Sequence, residues 1–147
     1  MADAHAAESQ HEYIANKYYG GGLRSIRSRT GVDLSSRTPI VADVIWSTSV
    51  QHGAGGCARI FERAFQSLGT TNPSDQAIIE AVYSERGAEN GQRYFGRSTP
   101  NVRASCVRRF QNEKADALRY LAQYQESAPR PTLTAGDTVD SNTPTVG

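Results

Sequence analysis

Val44-Ile45-Trp46-Ser47-Thr48-Ser49-Val50-Gln51-His52-Gly53 holds the only tryptophan of the chain and one of its three histidines. Thr38-Pro39 ahead of it reads as an N-cap followed by proline at the first helical position, and Gly53 reads as a left-handed stop. Between those signals Ile40, Val41, Val44, Ile45 and Thr48 recur at helical spacing, which predicts a helix with one buried face. Thr48 and His52 continue the line of Ile45 and carry polar atoms onto the edge of that face. Buried polar groups need partners, so this helix either holds an internal hydrogen-bond network or lines a cleft.

Outward from that segment the chain reads as helices divided by glycine and proline, with no period-2 strand. A first helix is expected from about Ala4 to Tyr18, ended by Gly20-Gly21-Gly22, and a short second one through Leu23 and Ile26 towards Thr30-Gly31. Beyond Gly53-Ala54-Gly55-Gly56 a fourth helix carries Ile60, Phe61, Ala64, Phe65 and Leu68 and stops at Gly69. Asn72-Pro73-Ser74-Asp75 caps a fifth helix that buries Ile78, Ile79 and Val82 and ends at Gly87. A glycine-rich loop, Gly87 to Ser98, holds Tyr94-Phe95, and Thr99-Pro100 starts a last helix with Val102, Cys106, Phe110, Ala117, Leu118 and Leu121 as its buried stripe. The fold class is therefore all-α, a compact bundle of about six helices spanning 1–127. Residues 128–147 change to Pro, Thr, Ser, Gly and Asp, which cannot repay chain entropy by burial, so a disordered tail or linker is expected there.

Composition narrows the function classes. A net charge of +1 with acids and bases mixed gives no electrostatic footprint for nucleic acid. No apolar run approaches the ~20 residues of a membrane span, and Met1-Ala-Asp-Ala-His lacks the features of a secretory signal. Synthesis in the cytoplasm and export by another route are expected. Cys57 and Cys106 read as two small thiols on core-facing helices, or as a disulfide if the protein works outside the cytoplasm. No metal cluster and no cofactor fingerprint occurs in the sequence.

Glu85 is the acid to weigh most heavily. It sits at the end of the fifth helix, where a carboxylate opposes the helix dipole, so it needs a partner or a raised pKa. Arg86, Arg93 or His52 could supply the partner; a salt bridge that fixes the next loop and a cleft role in acid/base work both remain open. His52 reads as a C-cap donor, a substrate contact or a general base, and Trp46 as a core anchor or a stacking platform. Thr48 and Gln51 suit either network or ligand hydrogen bonds. Arg103, Arg108, Arg109, Lys114 and Arg119 alternate with Glu113 and Asp116 as a solvated helix face, and Asp43 reads as an ordinary surface acid.

Thr30-Gly31-Val32-Asp33, Ser36-Arg37-Thr38-Pro39, the Trp46 to Gly53 motif, Tyr83-Ser84-Glu85-Arg86-Gly87, Tyr94-Phe95, and Arg109-Phe110 with Glu113 to Leu118 together resemble a known family. It is the C-terminal helical part of lysozyme-like (chitosanase-like) modules of phage tails and type VI secretion effectors, and the similarity runs from about Gln10 to Ala122. The resemblance implies a peptidoglycan-directed glycosidase, or its glycan-binding lobe, acting at the bacterial envelope after delivery by phage or secretion machinery. It implies a glycan cleft, for which Trp46, Thr48, Gln51, His52, Tyr83, Arg86 and Tyr94 are the expected contacts and Glu85 the candidate acid from this chain's own residues. The glutamate-bearing N-terminal segment expected of such modules has no counterpart in this sequence, so either Glu85 supplies the acid, or a second chain carries that lobe, or the fold is kept without the activity. The alternative is a non-catalytic structural or interaction component of a phage tail or secretion apparatus.

Overall fold

The computed structural model describes residues 17–127. The beginning of the first expected helix, with Tyr13 and Ile14, and the expected tail over 128–147 lie outside the described residues. All regular structure described is helical: α1, whose described part is 17–30, α2 (Pro39–Leu68), α3 (Asp75–Arg86), a 3-10 turn (Ala88–Gly91), the single turn α4 (Gln92–Phe95) and α5 (Pro100–Ser127). Among the described residues there is no strand, and no helix is long and apolar enough to cross a membrane.

Among the described residues there are four long helices and the short α4 where about six were expected, because Gly20-Gly21-Gly22 does not break its helix and α2 resumes directly after a kink at Gly53. Gly20-Gly21-Gly22 lies inside α1. A Cβ on Gly22 would overlap the Ser49 hydroxyl and sit 2.9 Å from Ile45 Cγ2, so the missing side chain lets α1 lie directly against α2. Gly53 interrupts the helix at the positive φ expected of it: at φ 77° and ψ 166° it leaves helical geometry and kinks α2, and the chain then resumes directly as a second leg. The bend turns two amphipathic stripes towards one core. Val41, Val44, Ile45 and Thr48 are buried on the first leg, and Cys57, Ile60, Phe61, Ala64 and Phe65 on the second.

The expected caps form. Thr38 Oγ1 accepts from the Val41 amide at 3.5 Å, Ser74 Oγ from Ala77 at 3.1 Å and Thr99 Oγ1 from Val102 at 3.3 Å. Gly69, at φ 70°, closes α2 with its N–H directed to the carbonyls of Phe65 and Gln66. Asp75 ties two helix starts together: its carboxylate accepts from Arg37 at 2.9 Å and from the Thr38 amide at 3.2 Å.

Between α3 and α5 the expected loop is more ordered than its composition suggests. Glu89 and Asn90 take left-handed φ values of 58° and 55°, and α4 then carries Tyr94 and Phe95 back to the core. On α5, Phe110, Ala117 and Leu121 are buried, and Cys106 and Leu118 are partly covered. Val102, expected in that stripe, is 47% exposed, because it precedes the part of α5 that reaches the core. Cys57 and Cys106 are free thiols; burial raises the Cys57 pKa to about 11, which keeps it protonated.

Candidate functional site

The polar edge of α2 folds onto Arg86, which has no exposed surface although it closes α3. Burying a guanidinium in a small helical domain is costly unless several groups receive its protons. Arg86 Nε donates to His52 Nε2 at 3.3 Å, and Nη1 donates to Ser47 Oγ at 3.3 Å and Thr48 Oγ1 at 3.4 Å. Thr48 is positioned for this by donating its own proton to the Val44 carbonyl at 2.7 Å. Glu113 of α5 supplies the countercharge 3.9 Å from Nη1, and it accepts from Ser47 Oγ at 3.1 Å and Tyr83 Oη at 3.2 Å. The guanidinium carbon lies 4.3 Å from the centroid of the Phe110 ring, a cation–π contact that a buried arginine strengthens.

These contacts fix the chemistry of the neighbours. Burial, with the charges of Arg86 and Arg109 added to it, lowers the His52 pKa to about 4. His52 is therefore a neutral acceptor from Arg86, not the carbonyl-directed cap its place before Gly53 suggests. Its ring sits 5.4 Å from Tyr94, 5.6 Å from Phe95 and 6.2 Å from Phe110. Burial also pushes Tyr83 up to about 12, with the Glu113 carboxylate beside it acting in the same direction. Both groups hold the protonation states that the network needs at neutral pH.

Glu85 lies outside this network. Its carboxylate accepts from Arg93 at 2.7 Å and from Tyr94 Oη at 2.5 Å, with Arg63 at 4.0 Å, so Arg93 is the partner its helix-end position requires. Burial, then the hydrogen bond to Glu85, raises the Tyr94 pKa. The result is a clasp that holds α4 to the end of α3.

The sequence-selected residues separate into two surfaces and an interior. Trp46 and Tyr83 line a cleft of about 800 Å³ together with Tyr19, Ile40 and Tyr120. Gln51, His52 and Tyr94 line a smaller depression of about 510 Å³ flanked by Arg59 and Arg63. Thr48 and Arg86 are interior. Glu85 and Trp46 therefore do not share a cleft. Sequence reasoning missed Ser47, Glu113 and Arg109 as network members. Arg109 bonds Gln51 and lies 3.3 Å from Glu113, one helical turn on, so the pair read as a solvated stripe from spacing alone. Among the described residues no group of three or more His, Cys, Asp or Glu side chains gathers as a metal site.

Comparison with known families matches residues 1–114 to "Type VI secretion system spike protein VgrG3-like, C-terminal". No curated protein and no solved structure matches the chain. The family match spans more than half of the 147 residues, and the chain belongs to that family. The match corrects the resemblance drawn from the sequence: the family is a secretion-spike family, not a lysozyme-like hydrolase module. The hydrolase, glycosidase, cell-wall and phage-tail readings fall with that resemblance, while the type VI secretion setting and the all-α class stand. The motifs misled because a dense row of polar residues on a helix looks the same whether it faces a ligand or a buried arginine.

Proposed function

We propose that this member of a secretion-spike family is a non-catalytic structural and interaction domain. It works with other chains of the type VI apparatus and is carried outward by it. The family match supports this reading, and so does one observation above all: the candidate reactive groups are bonded to one another. His52 accepts from Arg86, Glu85 is clasped by Arg93 and Tyr94, and Thr48 and Arg86 are enclosed. Under this proposal Glu85, His52, Thr48, Arg86 and Tyr83 are framework residues, and Trp46 belongs to a contact surface.

Secretion tests the proposal. The chain, expressed in its native host, is expected in the extracellular fraction only of cells with a working type VI apparatus. Glu85→Gln, which retains one acceptor oxygen for Tyr94, is expected to be exported like the wild type. Export at equal levels from cells lacking the apparatus contradicts the proposal.

A further inference from the structure

The cleft between α1, α2 and α5 has a composition that a simple packing defect would not have. Its walls are Tyr19 from α1, Ile40 and Trp46 from α2, Tyr83 from α3 and Tyr120 from α5, and Asp43 stands at its rim. At about 800 Å³ it falls within the range of small-ligand pockets, roughly 300–1,000 Å³. Tyr120 is 49% exposed, and Tyr124, one turn further along α5, is 40% exposed, so the aromatic surface continues beyond the cleft along one helix face.

The charges at the cleft leave one sign uncompensated. Arg37, the only cation among the described residues that line it, is held by Asp75 at 2.9 Å, by the Pro73 carbonyl at 2.7 Å and by Asn72 at 3.1 Å. Glu113 is matched by Arg86 and Arg109, and Asp116 by Arg119 at 3.1 Å. Among the described residues, the Asp43 side chain has no hydrogen bond and no ion pair. Partial desolvation by its surroundings holds its carboxyl above the ordinary aspartate range. Aromatic faces beside an unmatched carboxylate suit an ammonium or guanidinium on an apolar stem, because the rings attract the cation while covering the methylenes.

We propose that this cleft is a docking site for a basic side chain, lysine or arginine, on an extended segment of a partner protein, with Asp43 as its countercharge and Trp46 and Tyr120 as its walls. The site deepens the interaction reading given above and rests on it. Asp43 and Trp46 lie three residues apart on α2 and so share a face, and Tyr120 approaches from α5, so the partner would span two helices.

Trp46, the only tryptophan, makes the test direct. The full chain is titrated with a blocked decapeptide of alternating lysine and alanine, and with the same peptide N-acetylated on every lysine, while tryptophan emission is followed. Saturable change with the lysine peptide and none with the acetylated one is expected. Asp43→Asn should weaken binding about fivefold, and Tyr120→Ala by a similar factor, both at unchanged melting temperature because the two side chains are exposed. Equal response to both peptides, or wild-type binding by both variants, overturns the site. So does a cleft covered by a second copy, seen as a dimer in sedimentation, or by residues 128–147, seen as their protection from hydrogen exchange. If binding fails while export still depends on the secretion apparatus, the site falls and the interaction reading stands. If export is independent of the apparatus, that reading falls whatever the peptides do.

Discussion

Arg86 decides how the rest of the polar row is read. Truncating it to alanine leaves His52, Ser47, Thr48 and Glu113 without their shared donor, and a cost of about 3–5 kcal/mol is expected, read by denaturant unfolding. Arg86→Met keeps the stem against Phe110 and should cost clearly less than the alanine variant. Equal losses would mean that packing, not the network, sets the energy. His52 gives the same network a pH signature. Its folded pKa of about 4 lies below the ordinary value of 6.5, so the unfolded chain binds more protons between those values. This contribution is fully present above pH 6.5 and is lost as pH falls towards 4. The full shift corresponds to about 3 kcal/mol, and screening of the partly open ring reduces that to about 1–2 kcal/mol. His52→Gln, whose amide oxygen can still accept from Arg86, should lose less stability than the wild type over that window. An identical pH profile for the two proteins would contradict the assignment.

At the scale of elements, what was legible and what was not divide along physical lines. The three side-chain caps and the Gly69 stop were readable because capping is local, fixed by residues three or four apart. The buried stripes of α2 and α3 were readable from periodicity. The Gly20-Gly21-Gly22 run was not, because a glycine that breaks a helix, as Gly53 does, and one that admits a neighbouring helix have the same local sequence. Gly22 is the second kind, and only the position of Ser49 and Ile45 reveals it. Gly22→Ala should therefore destabilise the protein by about 1–3 kcal/mol, although alanine is the better helix former. Thermal melts of Gly22→Ala and Gly21→Ala separate the two effects, since a Cβ on Gly21 meets no atom within 4 Å. Greater stability of the Gly22 variant would show that α1 and α2 are not in close contact. Glu113 was illegible for a related reason. Its one-turn spacing from Arg109 satisfies a surface pattern, while its reach to Ser47 and Tyr83 crosses from one helix to two others.

For the molecule as a whole, an all-helical body with an enclosed arginine network fits a domain that presents surfaces to other chains. The candidate site was legible only as a list of residues: Trp46, Thr48, Gln51, His52, Tyr83, Glu85, Arg86 and Tyr94 all make or line polar features, but divided between two separate depressions, an internal network and the clasp on Glu85. Which way each one faces depends on the direction of the bend at Gly53 and on the return of α4, and neither follows from spacing. The most direct test of a non-catalytic framework is to incubate the purified chain with purified peptidoglycan and analyse the soluble fraction by mass spectrometry. No muropeptides above a heat-inactivated control are expected, while Glu85→Gln lowers the melting temperature by a few degrees as its clasp on Arg93 and Tyr94 weakens. Muropeptides released by the wild type, and lost in a Glu85→Gln variant that melts like the wild type, would contradict it.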